Sequence, residues 1–165
     1  VASHSACGGL YSHFRAKPDE VVKAICDTDG YIGICVIPRF LGGDGDILSF
    51  LNQVDYAVKK FGAEHVAIGT DVAHVSANEE AQRAKIPKRT TPNPKAALGS
   101  ERWEHLWPVD GFKPKPQAEQ TLAWTNWPLF TVGLVQRGHS DETIRKILGE
   151  NMLRVARSNW QTAAG

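Results

Sequence analysis

The chain is predicted to be an α/β protein with parallel strands. Three apolar runs have strand length: a stub ending at His4, Tyr31–Ile37, and His65–Asp71. Helical periodicity fills the two gaps between them, and the order strand–helix–strand–helix–strand implies parallel strands with right-handed crossovers. Polar residues close the first and last runs, as Ser3-His4-Ser5 and Asp71. Barrel enzymes keep their chemistry where a strand ends and a helix follows, so two such residues point to one active-site face.

Each element has its own signal. Pro18-Asp19-Glu20 opens a helix running to about Asp29-Gly30, with Val21, Val22, Ala24 and Ile25 on its apolar side. Pro suits a first turn, acids suit the positive helix end and Gly suits the stop. The 31–37 run is apolar almost throughout, as in a strand covered on both faces. Gly42-Gly43-Asp44-Gly45-Asp46 lacks the Lys-Ser/Thr of a phosphate loop and the full calcium-loop spacing, so it reads as a turn with a helix cap. Ile47, Leu51, Val54, Val58 and Phe61 then recur at helical spacing until Gly62.

From Val72 to Thr125 six prolines interrupt the pattern. A short helix fits Asn78–Lys85, and the remainder reads as an extended excursion with brief helical turns. Excursions this long are usually functional or disordered. Trp103, Trp107, Trp124 and Trp127 favour packed material. Two helices close the chain. One spans Pro128 to about Arg137 before Gly138. The other is capped by Ser140 and broken near Gly149.

The bulk properties exclude several classes. A chain of 165 residues, 42% hydrophobic and 22% charged, supports one domain with a core. A net charge of +1 gives no strong pull toward nucleic acid or anionic lipid, and no apolar run approaches a membrane span of about 20 residues. Cys7, Cys26 and Cys35 are odd in number, and two lie in apolar patterns that suit buried free thiols; the compartment stays open, with a cytoplasmic location slightly favoured over a periplasmic or secreted one. The chain opens on Val1 in what reads as the last part of a strand, so a start in mid-fold is expected.

Four side chains are candidates for chemistry. His4, between two Ser at a strand end, is either a hydrogen-bonded His or a group for metal ligation or proton transfer. Arg15 is either a surface ion-pair partner or a bidentate clamp on a carboxylate. Asp71 either caps the next turn or, partly desolvated by its apolar strand, handles protons. His74 either joins Asp71 or lies on the surface.

These spacings resemble the C-terminal part of the membrane dipeptidase (renal dipeptidase) family of zinc peptidases. The markers are Ser3-His4-Ser5, Arg15 eleven residues after His4, Pro18-Asp19-Glu20 and Asp55-Tyr56-Ala57. Ala67-Ile68-Gly69-Thr70-Asp71, Asn126-Trp127-Pro128 to Gly138, and the tail Ile147–Val155 complete them. The resemblance implies the C-terminal portion of a (β/α)8 TIM-type barrel, about three β/α units plus terminal helices, with 72–125 as an excursion over the barrel mouth. It also implies a centre of two zinc ions bridged by a carboxylate and a water or hydroxide.

Carried over by position, His4 matches the last zinc-binding His, Arg15 the Arg that holds the substrate carboxylate, and Asp71 the acid beside substrate and bridging water. The implied activity is hydrolysis of dipeptides by a metal-activated water. A dipeptide-like small substrate and the upstream part of the same barrel are the implied partners. Relatives in that family are often dimers, so a homodimer is the oligomeric expectation.

Two departures stand out. Where the family often reads Asp-Phe-Asp-Gly, this chain reads Asp71-Val72-Ala73-His74. The family's His-x-Asp pair, bridging Glu and earlier His lie upstream of the matched region. Three parallel strands cannot close a barrel, so the other five units are expected elsewhere, and these residues alone are expected to be inactive. An inactive binding or maturation factor on the same frame, or another metal-dependent amidohydrolase, are the alternative readings.

Overall fold

A computed structural model describes residues 1–72, 78–85, 111–113 and 115–163. His74, Trp103, Trp107 and most of the predicted excursion lie outside the described residues. The chain divides into two compact units, Val1–Val72 with Lys113–Gly165, and Ala73–Phe112. Within the second, the described residues include a short helix at Glu79–Arg83, inside the predicted 78–85 span.

The first unit is α/β, as expected. Strand β1 (Ala2–Ser5) leads to helix α1 (Asp19–Asp27), then β2 (Ile32–Ile34), α2 (Pro38–Leu41), α3 (Ile47–Phe61) and β3 (Val66–Ile68). With Glu79–Arg83 as α4, the C-terminal elements are α5 (Pro116–Thr121), α6 (Trp127–Gln136), α7 (Asp141–Arg145) and α8 (Asn151–Ala163). The described sheet has the order β1-β2-β3, and both pairings are parallel. Ile32, Ile34, Val66 and Ile68 pack against Val22 of α1, Phe50 and Val54 of α3, and Phe130 and Leu134 of α6. The Phe50 and Phe130 rings sit 4.9 Å apart. All residues of β2 and β3 are buried, which explains why both runs are continuously apolar.

Several boundaries differ from expectation for local reasons. The ladder covers three residues of each predicted seven-residue run, and His65 belongs to a 3₁₀ turn, Ala63–His65. Helix α1 ends at Asp27 with Thr28 as its cap, and the left-handed residue that follows is Asp29, at φ 58°, not Gly30. The Gly30 amide still closes the cap onto the Ile25 carbonyl at 3.0 Å. Helix α2 is too short to leave a period in the sequence. Asp46 caps α3 by accepting from the Ser49 amide at 2.9 Å, and Ser140 accepts from the Thr143 amide at 3.2 Å to cap α7. Trp127 is partly exposed, with its ring tilted against Phe130 at 5.7 Å, so it is less packed than predicted.

The predicted break at Gly149 is a five-residue π turn, Lys146–Glu150, between α7 and α8. It turns Asn151 inward. The buried Asn151 amide donates to the carbonyls of Ala63 and Val66, both at 2.8 Å. Arg154 donates to the carbonyls of Asp29 and Glu64 at 2.6 and 2.7 Å. The tail motif thus fastens α8 beneath the amino ends of β2 and β3.

Candidate functional site

The three strands end at one edge. Beyond the regular ladder, the Cys35 amide donates to the Ser5 carbonyl at 2.8 Å, the Gly69 amide to Ile34 at 2.9 Å, and the Val36 amide to Thr70 at 3.1 Å. These bonds hold the carboxyl ends of β1, β2 and β3 level. His4 therefore faces Asp71, with Nε2 3.8 Å from Oδ1. That separation is ion-pair range and longer than a hydrogen bond. The side chains are 44% and 37% exposed, so each is partly desolvated and reachable from solvent. The other imidazole nitrogen, Nδ1, lies 2.9 Å from the Ser3 hydroxyl. Asp71 adopts φ 56, uncommon for a residue with a side chain, at the point where its strand turns away.

Strand β1 reaches this edge with its register shifted. Ala2 pairs with Ile32 but Ser5 with Ile34, so three steps on β1 oppose two on β2. Such a bulge re-aims side chains. Ser5 is buried and donates its hydroxyl to the Arg15 carbonyl at 3.0 Å, while Ser3 and His4 face outward.

The loop carrying Arg15 is braced on several sides. The Gly8 amide donates to Lys17 at 2.7 Å and the Lys17 amide to Ala6 at 2.8 Å, closing the loop at its neck. Gln53, wholly buried on α3, accepts from the Cys7 amide at 2.8 Å and donates to the Leu41 carbonyl at 3.2 Å. One side chain thus ties the loop after β1 to the segment after β2. On the other flank the Tyr56 hydroxyl donates to Asp19 at 2.7 Å, and Lys60 pairs with the same carboxylate. Burial pushes Asp19 up, but the Lys60 and Tyr56 bonds outweigh it and hold the carboxyl below its ordinary range. A methyl at Gly9 would fall on this pair.

Arg15 places its guanidinium 5.7 Å from the centre of the Phe40 ring. The Ser5 hydroxyl's bond to the Arg15 carbonyl holds Arg15 beside the carboxyl end of β1. Burial pushes the Cys35 thiol up to about 11; Asp71 adds to the rise and Arg15 opposes it. The structure brings His4 and Asp71 face to face and sets Arg15 at the same edge. Cys7, Cys26 and Cys35 are free; Cys7 and Cys35 are the buried pair.

Ser5, Gln53 and Cys35 were not foreseen as parts of this edge. Ser5 stood inside the Ser-His-Ser run, but its inward turn depends on the bulge. The Gln53 signal was a polar residue on the apolar side of a helical pattern.

The donors suit zinc in kind, one imidazole facing one carboxylate. Among the described residues no group of three or more His, Cys, Asp or Glu comes together to hold a metal.

Among the described residues the strands are all parallel, and the polar pair lies at their carboxyl ends, where α/β proteins of this class place their ligands. The chain belongs to the membrane dipeptidase family, peptidase family M19, whose family model matches residues 1–85. It is 24% identical to dipeptidase tcpJ of Claviceps purpurea over 99% of its own length and 30% of that protein. It is 26% identical to an uncharacterized dipeptidase of Schizosaccharomyces pombe, over 97% of the chain and 30% of that relative. The chain thus spans about a third of these relatives. Among solved structures, an amidohydrolase from Pseudomonas aeruginosa superposes with TM-score 0.65 at 25% identity, covering 96% of this chain and 45% of that one. A metallopeptidase from Rhodobacter sphaeroides, liganded with a phosphinate mimic of the dipeptide L-Ala-D-Ala, gives 0.57 at 17% identity, covering 90% and 33%, and supports the fold alone.

Proposed function

We propose that this chain is the C-terminal portion of a (β/α)8 metallo-dipeptidase, supplying β/α units that carry part of its active-site rim. The observation that carries the reading is His4 facing Asp71 across the ends of β1 and β3, with the Arg15 backbone bonded to Ser5 at the end of β1.

His4 is assigned as a metal ligand, completed by ligands outside the described residues. Two zinc ions are the expected complement of the whole site. Zinc bound there would acidify a water to a pKa of about 7 and polarise the scissile carbonyl. Asp71, within reach of the same space and half open to solvent, takes the proton from the attacking water and returns it to the leaving amine. Arg15, with five donors in a planar fork, holds the free carboxylate of the substrate and restricts it to short peptides. Stacking near Phe40 keeps the fork in place. A homodimer remains the proposed oligomeric form.

The Pseudomonas neighbour, described only as an amidohydrolase, favours a second reading: a metal-dependent amide hydrolase of another substrate class. Dipeptide hydrolysis by the protein expressed from its complete reading frame separates the two. Zinc-dependent release of free amino acids from an unblocked dipeptide, lost on chelation and restored by zinc, is the expected result. Cleavage of other amides with no dipeptide turnover would support the second reading.

A further inference from the structure

The β1 bulge has a seat. Gly33 of β2 and Gly69 just after β3 are neighbours, and the Cβ position of each points at the same atom, the Ser3 carbonyl oxygen. A methyl at either glycine would overlap that oxygen, and at Gly69 it would also press on the His4 Cα at 3.1 Å. Neither glycine needs its freedom for backbone conformation, since neither takes a left-handed φ. Both lie in strongly apolar runs, where glycine costs stability and marks the close approach of another backbone. The approaching backbone is the bulged residue immediately before His4.

We propose that Gly33 and Gly69 are positioning residues, forming a niche that seats the Ser3 carbonyl and so fixes the bulge that aims His4 at the metal. A regular β1 would send alternate side chains to opposite faces. The register shift instead leaves both Ser3 and His4 exposed and turns Ser5 inward. The oxygen that a methyl would strike is backbone, so the clash cannot be relieved by a rotamer change. The β1 chain itself must move, and His4 with it.

This inference rests on the assignment of His4 as a ligand, and the test keeps the two apart. Zinc affinity is measured for the parent protein from its complete reading frame, for Gly33→Ala, and for Gly133→Ala. Gly33 is the cleaner variant because β2 carries none of the assigned site residues. Gly133→Ala on α6 is the control: its methyl meets the flexible Leu51 side chain of α3, away from the site.

Loss of a ligand's supporting contacts typically weakens metal binding about 10- to 100-fold. Gly33→Ala is expected to weaken zinc binding by that factor while keeping a cooperative unfolding transition. Gly133→Ala is expected to bind zinc like the parent. Parental affinity in Gly33→Ala overturns the inference and leaves the His4 assignment standing. Absence of zinc from the parent removes the assignment and the inference together. If Gly33→Ala does not fold, a crystal structure of the zinc-loaded parent decides. The Ser3 carbonyl packed on both glycine Cα atoms supports the niche, and a carbonyl turned away from them overturns it.

Discussion

The His4 imidazole and the Asp71 carboxylate face each other at 3.8 Å, from opposite edge strands of a three-stranded parallel sheet. The intervening strand contributes no side chain to the pair, but its Cys35 and Val36 amides level the two ends by bonding to Ser5 and Thr70. Chemistry assigned to either residue therefore depends on β2 as a spacer.

Asp71→Asn preserves shape and removes the proposed proton acceptor. Turnover of a dipeptide is expected to fall by about 10²- to 10⁴-fold while zinc content is unchanged. Steady-state kinetics with metal analysis on the same sample checks this. Undiminished turnover would remove Asp71 from proton transfer.

Arg15→Ala removes the proposed carboxylate clamp. A charge-assisted hydrogen bond is worth about 1.5–3 kcal/mol, so KM for a free dipeptide is expected to rise about 10- to 100-fold with a smaller change in kcat. A C-terminally amidated substrate is expected to show little further loss. An equal loss on both substrates would contradict the clamp.

Gln53→Leu leaves the Cys7 amide and the Leu41 carbonyl without their side-chain partner in a fully buried place. Each unsatisfied buried group costs about 1–3 kcal/mol, so a loss of about 2–6 kcal/mol in urea unfolding is expected. A loss under about 1 kcal/mol would show that the two segments are held together by other contacts.

Alkali should loosen the fold through its buried thiols. Burial, reinforced by Asp19, pushes Cys7 up to about 12, and burial pushes Cys35 up to about 11, from an ordinary value of 9.0. The unfolded chain thus releases these protons first. The stabilisation is complete below about pH 9 and is lost as pH rises through about 11 to 12, at up to about 1.4 kcal/mol per pH unit for each thiol. Stability measured from pH 8 to 11 should show this decline, flattened in Cys35→Ala. An unflattened profile would assign the alkaline loss to other groups.

The sequence carried the frame more fully than the site. Continuous apolar runs located β2 and β3 because strands buried on both faces leave no alternation to misread. The same continuity hid where the ladder stops. His4 and Asp71 were legible because a polar residue ending an apolar strand is conspicuous. The bulge was not, since it is a relation between Ser3 and two glycines far along the chain. The roles of Asn151 and Arg154 were hidden for the same reason: their partners are backbone carbonyls of Ala63, Val66, Asp29 and Glu64, which no side-chain pattern announces.

His4 is proposed to bind metal at the rim it shares with Asp71. Zinc content of the protein from its complete reading frame, compared with its His4→Ala variant after equal dialysis, tests it most directly. About two zinc per chain in the parent and a clear loss in the variant are predicted, as a two-metal site deprived of one ligand requires. Equal zinc in both proteins would contradict it.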